Sequence, residues 1–138
     1  MKQTTETGVG LDTSVLVRLL TGKPNNQAIA AKEFLWKMET NGSPVFVSNL
    51  VVAEAYFACQ HHYGVAKGQV LAALHEVLSQ PTFQVHGDLL NLLSTPGLDT
   101  AKPGFLDRLI HAEYAQASLP LLSFEKAATR LSDAIVLK

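Results

Sequence analysis

The sequence predicts an α/β protein built on a central parallel sheet of about five strands with helices on both faces. Three observations carry this. Short apolar runs recur at 8–11, 45–48, 83–86, 119–123 and 134–137, and segments of helical period separate them. Several of the runs also stop at a hydroxyl or an acid. Right-handed crossovers would place all strand carboxyl ends on one side, where open α/β sheets bind ligands.

The first run, Gly8-Val9-Gly10-Leu11, ends at Asp12, with Thr13 or Ser14 expected to cap the helix that follows. Val15, Leu16, Leu19 and Leu20 carry that helix to a break at Gly22-Lys23-Pro24-Asn25-Asn26. A second helix places Ala28, Ala31, Phe34, Leu35 and Met38 on one face, and Trp36, Phe34 and Met38 read as core or dimer contacts. Val45-Phe46-Val47-Ser48 reads as a short buried strand, with Ser48 or Asn49 as the next cap.

Leu50 to Tyr63 is then a helix that reads as buried nearly all round, because every residue from Leu50 to Cys59 except Glu54 is apolar or aromatic. A buried carboxylate with no basic neighbour must be compensated from elsewhere. Gly64 closes this helix, and Val70, Leu71, Leu74 and Leu78 form the apolar stripe of the next. A strand at 83–86 and a short helix from Leu89 to Leu93 lead to a turn-forming stretch at 94–104, either a lid or a plain connection. Helical spacing returns at Phe105, with Asp107 in the first turn. Leu119-Pro120-Leu121-Leu122-Ser123 repeats the opening design: an apolar run, read as buried, stops at a hydroxyl and then at Glu125. A helical segment at 126–131 and a last strand at 134–137 complete the chain.

A length of 138 residues fits one domain, 1–138, and 47% hydrophobic with 17% charged residues suits a compact core. The polar opening, residues 1–7, lacks the apolar stretch of a signal peptide, and no later run is long enough to span a bilayer. Cys59 alone cannot form an internal disulfide, which agrees with an expected cytoplasmic location. A net charge of −1 excludes the broad basic footprint of an ordinary nucleic-acid binder, so such a partner would be held locally. Gly8-Val9-Gly10 is not a dinucleotide fingerprint, because Thr13 stands at the third glycine position. Gly22-Lys23-Pro24 is not a phosphate loop, since proline replaces the hydroxyl residue.

Asp12, Glu54, Asp107 and Glu125 each fall where the expected topology brings them to one side of the sheet. Taken singly, a helix-start acid such as Asp12 or Asp107 more often serves the helix dipole than chemistry. Together, four carboxylates in one cleft would repel unless divalent cations bound between them, and an all-oxygen donor set suits Mg²⁺ or Mn²⁺. His61 and His62 are consecutive and do not share a helix face, and with Cys59 they fall short of a closed zinc site.

Four stretches then carry a resemblance. Asp12-Thr13-Ser14-Val15-Leu16-Val17-Arg18-Leu19-Leu20, Val52-Ala53-Glu54, Phe105-Leu106-Asp107-Arg108-Leu109-Ile110-His111-Ala112 and Leu121-Leu122-Ser123-Phe124-Glu125-Lys126 resemble the successive motifs of PIN-domain ribonucleases, above all the VapC-type toxins of toxin–antitoxin pairs. The resemblance implies a three-layer α/β/α sandwich, a homodimer, metal-dependent RNA cleavage and inhibition by a small antitoxin protein. By position, Asp12, Glu54 and Asp107 match the family's three core acids. Glu125 falls where many members have Asp, Ser123 where they have Thr or Ser, and Gly104 where many carry a further Asp.

The chemistry so implied is hydrolysis of an RNA phosphodiester by water activated at Mg²⁺ or Mn²⁺. Asp12, Glu54 and Asp107 would hold the metal, while Glu125 and Ser123 would orient a second metal or the water. Ser14, Arg18, Arg108 and Lys126, with Arg130, are candidates for phosphate contact, and His111, one turn beyond Asp107, is a weaker one. Two other classes stay open: a catalytically weakened binding module on the same scaffold, and an acid-rich phosphohydrolase acting on small phosphate esters.

Overall fold

The computed structural model describes residues 8–138, so the reading of the polar opening lies outside the described residues. Strands β1 (Val9–Gly10), β2 (Val45–Phe46), β3 (Phe83–Gln84), β4 (Leu121–Ser123) and β5 (Ala134–Val136) all run parallel to their neighbours. Helices α1 (Thr13–Thr21), α2 (Asn25–Thr40), α3 (Asn49–His61), α4 (Lys67–Leu78), α5 (Leu89–Leu93) and α6 (Phe105–Gln116) connect them, and a 3₁₀ helix, Lys126–Arg130, joins β4 to β5. The α/β class and the five strands are as the sequence predicts. Their arrangement differs, because the strands form a central sheet in the order β1-β2-β3 and a separate β4-β5 pair.

In the central sheet Val9 stands opposite Val45, and Val45 opposite Phe83. Backbone bonds from Leu11 to Phe46 (2.8 Å) and from Val47 to Gln84 (3.0 Å) extend the pairing just past the strand ends. Gly8 sets the approach of β1 to β2. Its φ is +101°, and a Cβ there would lie 2.7 Å from the Pro44 carbonyl oxygen and 2.8 Å from the Phe46 ring. Gly8→Ala is therefore expected to lower stability by about 1–3 kcal/mol, read as a shift in the denaturant midpoint. A midpoint equal to wild type would mean that the β1 entry is not strained by a side chain.

The core is formed by Leu16 and Val17 of α1, Val52, Ala55, Tyr56 and Cys59 of α3, the α4 stripe Val70, Leu71, Leu74 and Leu78, and Phe105 and Leu109 of α6. The β2 and β3 residues Val45, Val47 and Phe83 close it from the sheet side. Ser48 caps α3 as expected, its hydroxyl accepting from the Val51 N–H at 3.2 Å. Gly22 ends α1 in the left-handed conformation (φ 70°).

Three readings of burial need correction. The helix α3 is not buried all round: Leu50, Glu54, Phe57 and His61, spaced at helical period, face outward. Apolar composition alone had hidden that face. On α2 only Ala28 and Met38 are buried, while Trp36 is 69% exposed and Phe34 is exposed too, so neither is core. The β4 strand is not a buried strand either, with Leu122 62% exposed. No residue after 116 joins the main core, because β4 has only β5 as a partner.

The stretch at 94–104 is tied down. Leu98 and Pro103 are buried, Arg108 Nε donates to the Pro103 carbonyl at 2.7 Å, and Arg130 Nη1 donates to the Lys102 carbonyl at 3.0 Å. Loops fixed by burial and backbone bonds open less readily than free ones.

Candidate acidic site

Where β1 ends, Asp12 takes the N-cap of α1 in an extended conformation, and its carbonyl accepts from the N–H groups of Val15 (3.1 Å) and Leu16 (3.2 Å). Thr13 and Ser14 therefore lie inside the helix rather than at its cap. Both hydroxyls instead hold acids. Ser14 Oγ donates to Asp12 Oδ2 at 2.9 Å, and Thr13 Oγ1 donates to Glu54 Oε1 at 3.2 Å across 41 residues of chain. The first turn of α1 thus touches both carboxylates.

Asp12 is fully open to solvent, and its carboxyl titrates below the ordinary aspartate value. The Ser14 hydroxyl is the main cause and the backbone N–H of Thr13 the next, with a weaker opposing effect of desolvation. The charged form is thus the favoured one, and any stability it lends is present above the ordinary value and lost as pH falls through the lowered one.

A second group forms at the other end of the chain. Asp107 in the first turn of α6, Ser123 at the end of β4 and Glu125 just beyond line one cavity of 260 Å³ with Pro103, Ile110 and Tyr114. Ser123 Oγ accepts from the Glu125 N–H at 2.9 Å, which fixes the turn that presents Glu125. Glu54 lines a different cavity of 390 Å³ with Thr13, Phe57 and His62. Asp12 lines a third, a groove of 510 Å³ between α1 and α2 with Arg18, Gln27 and Phe34.

The expected meeting of Asp12, Glu54, Asp107 and Glu125 in one cleft is therefore not found in this arrangement. Among the described residues no three His, Cys, Asp or Glu side chains come together closely enough to hold a metal ion. The donor chemistry is right for Mg²⁺ or Mn²⁺, being hard oxygen throughout, but the three core acids do not fit a single ligand shell as placed. Asp12 follows β1 and Glu125 follows β4, and these two strands are not hydrogen-bonded neighbours. All four carboxylates are exposed, so no compensating charge is demanded around Glu54.

The arginines have structural partners. Arg18 donates from Nε to Gln27 Oε1 at 2.7 Å and from Nη1 to the Ser14 carbonyl at 3.3 Å. Arg108 and Arg130 hold the 94–104 stretch, and exposed Lys126 opens the 3₁₀ helix beside Glu125. His111 Nε2 lies 2.6 Å from the Ser132 carbonyl, so this ring nitrogen donates there and ties α6 to the segment before β5. Sequence reasoning missed the role of Thr13, since nothing local announces a partner 41 residues away. It also passed over Phe57, whose i+3 spacing from Glu54 was visible.

Parallel strands linked by helices, with acids presented just after β1 and β4, define an α/β protein with carboxylates at its strand ends. The chain belongs to the PIN domain family, whose model matches residues 9–134. Members of this family are typically metal-dependent nucleases that act on RNA or DNA. No curated protein and no solved structure matches the chain significantly. Among the described residues no helix is long and apolar enough to cross a membrane.

Proposed function

We propose that the protein is a Mg²⁺- or Mn²⁺-dependent endoribonuclease, the VapC-like toxin of a toxin–antitoxin pair. The observation that carries this reading is the PIN family match over 9–134, a span that includes Asp12, Glu54 and Asp107, which we take as the core acids on the strength of the motif resemblance. Asp12, kept ionised by the Ser14 hydroxyl, and Glu54, oriented by Thr13, form one half of the machinery. Asp107, Ser123 and Glu125 form the other, around their shared cavity. Ser14, Arg18, Arg108 and Lys126 are its candidates for phosphate contact.

The same reading takes the protein as a single cytoplasmic domain, a homodimer and the target of a small antitoxin. Exposed apolar side chains such as Leu50, Trp36 and Phe124, on different parts of the fold, support association. A second reading, a binding module with weakened catalysis, is favoured by one observation: among the described residues no three acids come close enough together to hold a metal ion.

One experiment decides between the two. Purified protein is incubated with single-stranded RNA and Mg²⁺ or Mn²⁺, beside a sample with excess chelator. Cleavage that requires the metal is expected. RNA left intact in both samples, while still bound, would establish the binding module instead.

A further inference from the structure

Phe57 stands one turn beyond Glu54 on α3, and the two line the same 390 Å³ cavity together with Thr13 and His62. That volume lies within the range of sites that take small ligands. Phe57 is 52% exposed, and its ring centroid lies 4.2 Å from that of His61 at 37° and 6.4 Å from that of His62 at 74°. An isolated exposed aromatic residue on a helix needs no explanation. A phenyl ring flanked by two exposed imidazoles, next to an acid held by a hydroxyl, is a flat π-surface beside a polar group.

We propose that Phe57, with the His61 ring tilted over one face and His62 at its edge, is a stacking platform for an unpaired RNA base, which sets the nucleotide beside Glu54. The inference rests on the ribonuclease reading and deepens it. Its physical basis is the charge balance of the chain. With 11 Lys and Arg against 12 Asp and Glu, phosphate contacts supply little of the affinity that basic RNA binders draw from counterion release. Stacking has to supply more of it, and single-stranded RNA is the form whose bases are free to stack. The platform tolerates many sequences, since every base has a π-face, and it favours purines for their larger overlap. Phe57 acts here as a positioning residue for substrate, and Glu54 keeps its place in the machinery.

The test measures binding of fluorescein-labelled oligoadenylate and oligouridylate in excess chelator, so that no cleavage intervenes, to wild type and to Phe57→Ala, Phe57→Leu and Phe57→Trp. Metal-dependent cleavage is scored on the same preparations, and circular dichroism confirms that each variant is folded. Phe57→Ala and Phe57→Leu are expected to bind oligoadenylate about 5- to 150-fold more weakly, and Phe57→Trp within about threefold of wild type. The preference for oligoadenylate should shrink in the Ala variant, and the salt dependence of binding should be shallow throughout. Undiminished binding by Phe57→Ala in a protein that still cleaves RNA overturns the platform and leaves the ribonuclease intact. Loss in Ala but not in Leu also overturns it, because the contact is then merely apolar. A wild type that neither binds nor cleaves RNA overturns both.

Discussion

Asp12→Asn is expected to cut metal-dependent RNA cleavage by about 100-fold or more while the protein stays folded. The fold survives because α1 is capped through the Asp12 carbonyl, which accepts from Val15 and Leu16 whatever the side chain. Asn is also as good an N-cap residue as Asp, and its amide oxygen still accepts from the Ser14 hydroxyl. The substitution therefore removes a charge and little else. Cleavage assays at saturating metal, with circular dichroism as the fold control, read the effect. Undiminished cleavage would remove Asp12 from the machinery and with it the strongest of the core-acid assignments.

The same variant separates two electrostatic pictures. Were the four acids crowded together, neutralising one would relieve repulsion and stabilise the metal-free protein. The structure gives the opposite sign, since Asp12 is solvent-exposed and its charged form is favoured by the Ser14 hydroxyl and the Thr13 amide. Metal-free Asp12→Asn should thus gain nothing in stability near neutral pH. Any deficit relative to wild type should vanish as pH falls through the lowered pKa, where the wild-type carboxylate is itself protonated. Chemical unfolding across that acid range measures it, and a clear gain in stability at neutral pH would restore the crowded-acid picture.

Periodicity made the elements legible, and contact made the rest. The α4 stripe, the Leu89–Leu93 helix and the Ser48 cap were readable because each is a local pattern within a few turns of chain. Burial is not local. Leu50 and Phe57 carry the composition of core residues, yet nothing in their own helix says which face a neighbour will cover. Leu122 and Ile135 fail for the same reason, since strand composition does not say whether a sheet will gain a third partner. Asp12 and Glu125 were findable from their places after apolar runs, Glu54 as the lone acid in an apolar helix, and Asp107 from the first turn after a Pro/Gly break. How near they stand to one another depends on how β1 and β4 are joined, which no local signal encodes. The Thr13–Glu54 bond is the counterexample that proves useful: a long-range link ties two predicted site residues' elements together without any sequence motif for it.

Phe105→Ala is expected to produce the largest loss of stability, about 3–5 kcal/mol. Phe105 is only 2% exposed and packs edge-on against Tyr56, with centroids 5.0 Å apart and planes at 65°. Tyr56 is itself buried enough that its phenol is pushed above its ordinary pKa, so the pair sits in a region water does not readily fill. Truncation would remove the aromatic contact and leave a cavity between α3 and α6 that neighbouring helices close only in part. The consequence reaches function through geometry. Phe105 is the first residue of α6 and Asp107 lies two residues on, so loosening the Phe105 anchor lets the helix start that presents Asp107 fray. Against a total stability of about 5–15 kcal/mol, a loss of that size leaves a protein that is still folded at low temperature but cleaves RNA poorly well below its unfolding midpoint. Denaturant unfolding at constant slope, paired with cleavage assays across temperature, reads both effects. A loss below about 1 kcal/mol would mean that α3 and α6 close over the gap, and that the placement of Asp107 does not depend on the aromatic pair.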